Sequence, residues 1–303
     1  MSALGHVVIE RFTHVAPFGL GLWDAASGSL VSDGFEVRVY TMSNAEPHSP
    51  VVAAANRAGF FVAQNFLSLH AFEAGVGDEA FWSALPAARS YLVEVRDTLS
   101  RYTPFVMHVD LPAPRGLVVP RCFASSPPTA TGYVPLFPTA SRPVPAGMAV
   151  VRATLYDADS GKPARLAVLE VRDAGRLLGR GISDDRGEVA AIFAYPEPPD
   201  PPADSPPPGS PLASPIGASM RAQPLATQVW RLDISVRYER LEPTWRPDAS
   251  RPPLVDVCEA LAQRPAVIAL SPPVTLIPAQ LEYGRELVLG ARPRTRVSVR
   301  PAP

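Results

Sequence analysis

Cysteine, lysine and histidine are scarce in this sequence, with two, one and five respectively among 303 residues, and each scarcity excludes something. Cys122 and Cys258 are too few for a disulfide framework and lie far apart, in different expected domains, so they are read as reduced, inert thiols. Positive charge is carried almost wholly by scattered arginines, Lys162 being the only lysine, and the formal net charge is −1. A basic stripe for nucleic acid is therefore missing. His6, His14, His48, His70 and His108 show no HxH, HxxH or HExxH spacing, so there is no local metal motif. Gly-x-Ser-x-Gly, Gly-x-Gly-x-x-Gly and P-loop patterns are absent as well. Asp157-x-Asp159-x-Gly161 starts like a calcium loop, but it lacks glycine at the sixth position and carries Val168 at the twelfth, which makes it a turn. No catalytic residue, metal ligand or cofactor is assigned, and the chain is read as non-enzymatic. There is no run of about 18 apolar residues, hence no expected membrane span. The opening stretch MSALGHVVIERF lacks the basic region and apolar core of an export signal, so synthesis is expected in the cytoplasm, with release by lysis for any role outside the cell.

What the chain does contain is proline, 37 residues of it, together with 20 glycines. That much proline disfavours long helices and suits turns, strand edges and linkers, which points to an all-β chain. The organising stretch is 148–194, where short apolar and β-branched runs alternate with turn residues. Asp157-Ala158-Asp159-Ser160-Gly161 and Asp184-Asp185-Arg186-Gly187 are its two turns. The same order recurs earlier: Asp24-Ala25-Ala26-Ser27-Gly28, the alternating strand Phe35–Tyr40, then Asn56-Arg57-Ala58-Gly59 before an apolar run. Asn56-Arg57 is set against Asp185-Arg186 in this alignment, and two related sandwiches are expected.

The expected organisation is two Ig-like β-sandwich domains, 1–123 and 148–303, joined by a proline-rich extended connector at 124–147. Short strands are expected at 6–12 and 18–23, and strand pairs at 91–96 with 104–111. Residues 66–85 form a minor helical insertion, cut short by Gly75 and Gly77. A proline-rich insertion at 196–224 has too little apolar content to hold itself folded. In 229–238, Trp230, Leu232, Ile234, Val236 and Tyr238 make the core face of the clearest strand. Leu254, Val257, Cys258 and Leu261 fall at helical spacing, so one short helix is expected there, with Cys258 on its apolar face. No histidine follows His108, so a Cys258 thiolate would lack a local base. The candidate interaction residues are aromatic: Phe72, Phe81 and Trp82 in the helical insertion, Tyr133 and Phe137 in the connector, and Trp245.

The turns at 157–161 and 184–187 resemble those of carboxypeptidase regulatory-like domains, which are small seven-stranded Ig-like sandwiches. NRAGFF at 56–61, FEAGVGDEAFW at 72–82, VEVRDTLSRYTPF at 93–105, VPAGMAVVRATLYD at 144–157 and GRLLGRGISDDRG at 175–187 are similar to proteins associated with phage-tail-like contractile injection systems. This resemblance implies a structural or accessory role with protein partners in a multi-subunit tail-like assembly, and transfers no catalytic residue. A carbohydrate- or peptide-binding module is the alternative.

Overall fold

The structure is a computed structural model that describes residues 15–42, 50–75, 78–113, 116–123, 133–197, 228–243, 245–246, 251–290 and 296–302. The expected strand at 6–12 and all but the first two residues of the 196–224 insertion lie outside them. The chain is all-β. Its first half contributes β1 (Phe18–Asp24), β2 (Ser29–Leu30), β3 (Phe35–Thr41), β4 (Val51–Ala55), β5 (Phe60–Ala63), β6 (Arg89–Asp97), β7 (Phe105–Leu111) and β8 (Tyr133–Pro135), with short helices α1 (His70–Glu73) and α2 (Glu79–Ser83) between β5 and β6. The second half contributes β9 (Met148–Asp157), β10 (Val168–Asp173), β11 (Arg176–Ile182), β12 (Glu188–Ala194), β13 (Val229–Arg237), helix α3 (Val257–Ala262), β14 (Val267–Ile268), β15 (Leu276–Glu282), β16 (Leu287–Leu289) and β17 (Val297–Arg300).

The pairing repeats. β1 is flanked by antiparallel β5 and parallel β8, and β9 is flanked by antiparallel β12 and parallel β16 and β17. β3 lies between β4 and β6, with β7 beyond β6; in the second half β10 lies between β11 and β13, with β15 beyond β13. The turns repeat too. Asp24 and Asp157 each end the first strand of their half, and each accepts from the two backbone amides two and three residues on. Gly28 and Gly161 close these turns at φ 63° and 67°, a conformation glycine adopts without steric cost. In the second turn Asn56 Oδ1 accepts from the amides of Ala58 and Phe60, and Asp184 Oδ1 accepts from those of Arg186 and Glu188. The register is therefore Asn56 to Asp184, one residue off the alignment drawn from sequence, because it is the first residue of each turn that bridges it.

Alternation builds the cores. Phe18, Leu20 and Leu22 of β1, Val37 and Val39 of β3, and Tyr91, Val93 and Val95 of β6 fill the first. Leu169 and Val171 of β10 and Trp230, Leu232, Ile234, Val236 and Tyr238 fill the second, as the two-residue period requires. β4 pairs with both β3 and β5, so the first sandwich is one folded-over sheet, whereas the second consists of two separate sheets.

Two expectations are corrected. The segment 124–147, expected as an extended connector between the sandwiches, is in its described part an element of the first: β8 pairs with β1, and Val134, Leu136 and Phe137 are buried in the first core. Proline did not prevent pairing because β8 is a short outer strand, where a missing N–H costs no central ladder bond. The cysteines are not reduced thiols. Cys122, in a 3-10 turn at Arg121–Phe123, and Cys258, in α3, form a disulfide with their Cα atoms 5.4 Å apart across a sequence separation of 136. Distance along the chain hid a pair that the fold brings together.

Candidate interaction surface

The disulfide marks a seam that the repeat alone would not produce. Residues 251–262 leave the second sandwich and lie as a strap on the first. Leu254 packs with Tyr40, Leu92, Val106 and Trp245. Val255, Val257 and Ala260 enter the first core, joined there by Val168 of β10 and Ile182 of β11. β7 is the outermost strand of its sheet, and the amide of Val106 donates to the Val255 carbonyl at 3.1 Å, so the strap covers an edge that would otherwise be open. Burying Leu254, Val255 and Val257 contributes about 5 kcal/mol. Asp256 caps α3 by accepting from the amide of Cys258 at 2.6 Å. At the far end of α3, Gln263 donates to the Leu166 carbonyl at 2.7 Å and accepts from the Glu239 amide at 2.6 Å, which fastens the helix to its own sandwich.

A polar network underlies the strap. Glu36-Val37-Arg38 on β3 and Glu94-Val95-Arg96 on β6 direct their charged residues to the outer face, where Arg38 bonds Glu36 and Arg96 bonds Glu94. Arg251 joins the two carboxylates at 3.2 and 3.3 Å, and Arg96 donates to the Pro252 carbonyl at 3.1 Å. Glu94 is fully buried and also accepts from the Tyr40 hydroxyl at 2.7 Å. Burial and this carboxylate push the Tyr40 phenol up to about 12. Glu170-Val171-Arg172 repeats the motif on β10, where Arg172, Arg180 and Arg237 surround Glu170. Burial pushes Glu170 up, but the three guanidiniums outweigh it and leave the carboxyl below its ordinary range.

The turn aspartates are held in parallel fashion. Asp24 takes Arg142 in a two-pronged bond at 3.1 and 2.7 Å, and Arg142 lies 4.4 Å over the ring of Tyr102. Asp157 takes Arg240 at 2.5 and 3.1 Å and the Tyr238 hydroxyl at 3.0 Å. Burial pushes Asp24 up and Arg142 more than offsets it. Hydrogen bonding from Arg240, against the opposing push of burial, holds Asp157 well below the usual carboxylate range. Charge-assisted paired bonds of this kind fix geometry as well as charge. Ala26, at the apex of the first turn, is buried against Val150, Ala190 and Ile192 on the outer face of β9 and β12. Arg152 of β9 donates to the Ala140 and Arg142 carbonyls from the other side.

The six candidate aromatics do not form one surface. Phe72 is buried in the first core and packs on Phe81, ring centroids 4.7 Å apart. Trp82 lies in α2, and its side chain is outside the described residues. Phe137 is core, and Trp245 packs edge-on against Tyr40 beneath the strap region. Tyr133 sits on an outer face, stacked on Trp23 at 5.6 Å with interplanar angle 14° and beside Phe60 at 5.9 Å. Trp23 and Phe60 escape a reading of isolated aromatics. Their signal is the alternation in FGLGLWD, which puts Gly19, Gly21 and Trp23 on one face of β1 and leaves that face bare for rings from the neighbouring strands to cover. A Cβ at Gly21 would meet Tyr133, Leu30 and Phe60.

Among the described residues no group of His, Cys, Asp or Glu could hold a metal ion, and no helix is long and apolar enough to cross a membrane. No protein-family model and no curated protein matches the chain. Solved structures that align with it include shaft pilin SpaA from Lactobacillus rhamnosus GG, at 10% identity over 94% of this chain and 98% of that one, with a TM-score of 0.23. They also include BcpA, the major pilin subunit of Bacillus cereus, at 9% identity over 88% and 60% of the two chains, with a TM-score of 0.21. Scores this low do not establish a shared fold.

Proposed function

We propose that the chain is a non-enzymatic structural or accessory component of a phage-tail-like contractile injection particle, acting through protein–protein docking. The observation that supports this reading best is the seam: two like sandwiches are joined by a strap, a disulfide and side chains that the second adds to the first core, which suits a rigid part that holds neighbours in place. Four buried carboxylates, Asp24, Glu94, Asp157 and Glu170, are each bound by arginine, and two more, Glu73 and Asp256, accept from the amides of Phe66 and Cys258, so their hydrogen bonds hold geometry. The similarity of residues 56–61, 72–82, 93–105, 144–157 and 175–187 to proteins of such particles supplies the assembly. Purification of intact particles tests it. The protein should travel with sheath and tube proteins, and recovery solely as a free monomer would refute the assignment.

The stacked Trp23 and Tyr133 favour a second reading, a carbohydrate- or peptide-binding module that offers this face as a platform. Hits on a glycan or peptide array that disappear in Trp23→Ala would favour it over the first.

A further inference from the structure

We propose that the strap is a redox lock, docked in both thiol and disulfide states but free to lift from β7 only when Cys122 and Cys258 are reduced. These are the chain's only two cysteines, and the fold places their Cα atoms 5.4 Å apart although 136 positions separate them. Each belongs to a different partner in the seam: Cys122 closes the first sandwich, and Cys258 follows the strap into α3. Both are only partly buried, so small reductants and oxidants can reach them. The noncovalent contacts of the strap, Val106 to Val255, Arg251 to Glu36 and Glu94, and the burial of Leu254 and Val257, keep it docked without the bond. Docking holds the two sulfurs together, so oxidation follows docking and makes it permanent.

Closing the lock takes one proton and one electron from each thiol. The two electrons pass to a thiol–disulfide oxidant, whose own disulfide becomes a dithiol, and one S–S bond forms here. Opening reverses this with a dithiol or phosphine reductant. What the open state uncovers is specific: the outward edge of β7 at Val106, and the apolar side chains of Leu254 and Val255. An open strand edge beside apolar surface is a site for pairing with another chain, so oxidation also withdraws that surface. The lock is an adaptation to oxidising surroundings, reached during or after export or release, and it does not depend on which assembly the chain joins.

Hydrogen exchange on the full chain, read peptide by peptide with and without a phosphine reductant, tests the lock. Reduction should speed exchange at Val106 and across 251–262 by about tenfold or more beyond any change at Val151 and Ile234 in the second core, which exchange only when the whole chain unfolds. Cys122→Ser should reproduce the reduced pattern. Unchanged exchange in the strap, or equal acceleration in both sandwiches, would overturn it. Thiols trapped with an alkylating agent as the native source is opened give the second readout. A cross-linked peptide pair containing Cys122 and Cys258 is expected in protein from its working location. Complete alkylation of both cysteines there would overturn the assignment.

Discussion

The two sandwiches follow the same strand path, and they differ most in one connection. Between β6 and β7 the first turns through residues 98–104, whereas the corresponding connection in the second, 238–275, has grown into the strap, α3 and β14. That growth reaches back across the seam, so the second sandwich completes the core and covers the edge of the first. Among the described residues the reverse does not hold. The edge strand β15 carries Pro278, which has no N–H to offer an incoming strand. The turn apices differ in the same sense. Ala26 is small, apolar and buried on the second sandwich, whereas its counterpart Asp159 is exposed and paired with Arg240 and Arg300. The two turns are thus alike in backbone and different in use, since only the first packs its apex on a neighbouring sandwich.

Breaking the asymmetric element should have the largest effect. Val257→Asp puts an unpaired carboxylate into the first core and should cost about 4 kcal/mol or more, read as a lowered denaturant midpoint. Fluorescence from Trp23 in the first sandwich should report the loss together with that from Trp230 in the second. Next comes the disulfide. Cys258→Ser should cost about 3 kcal/mol by releasing a long loop in the unfolded chain, and reduction of the parent protein should lower the midpoint by a similar amount.

Equivalent glycines sharpen the comparison. Gly59 and Gly187 hold the same turn position at φ 84° and 76°, but a Cβ at Gly187 would overlap the Leu155 carbonyl oxygen, whereas at Gly59 it would meet only the Leu30 Cβ at 3.6 Å. Gly187→Ala should therefore cost about 3 kcal/mol and Gly59→Ala about 1, since only the first adds a clash to the positive φ. Equal losses would mean that the Leu155 carbonyl adds nothing to the cost at Gly187.

The smallest effect is the pH response, which the halves should share. Asp24 and Asp157 have folded values below their unfolded ones, so below about pH 4 the unfolded chain takes up protons first and stability falls with falling pH. Tyr40 and Tyr238 are pushed up to about 12, first by burial and then by Glu94 and Asp157, so above about pH 10 the unfolded chain loses protons first and stability falls again. Denaturant midpoints across pH should be flat between these limits. In Asp24→Asn the acid-side slope should be reduced, and an unchanged slope would remove Asp24 from the account.

The strand pattern and the repeat were legible because a two-residue period and an Asx turn are local signals. Phe35–Tyr40, 91–96 and the core face of 229–238 could be read from alternation alone, and the short helix around Cys258 from its spacing and flanking prolines. The seam was not legible. Val106 meeting Val255, Cys122 meeting Cys258 and Asp24 meeting Arg142 are contacts between residues more than a hundred positions apart, and no local pattern encodes them. The proline-rich composition of 124–147 suggested a linker because composition does not reveal that Val134, Leu136 and Phe137 point into a core. Three Glu-Val-Arg triplets, at 36–38, 94–96 and 170–172, were visible, and only the fold shows that two of them lie beneath the strap.

The claim that the strap makes one unit of two sandwiches is tested most directly by calorimetric unfolding of the intact, oxidised chain. One cooperative transition, with calorimetric and van't Hoff enthalpies in agreement, is the predicted result. Two resolved transitions, one for each sandwich, would contradict it.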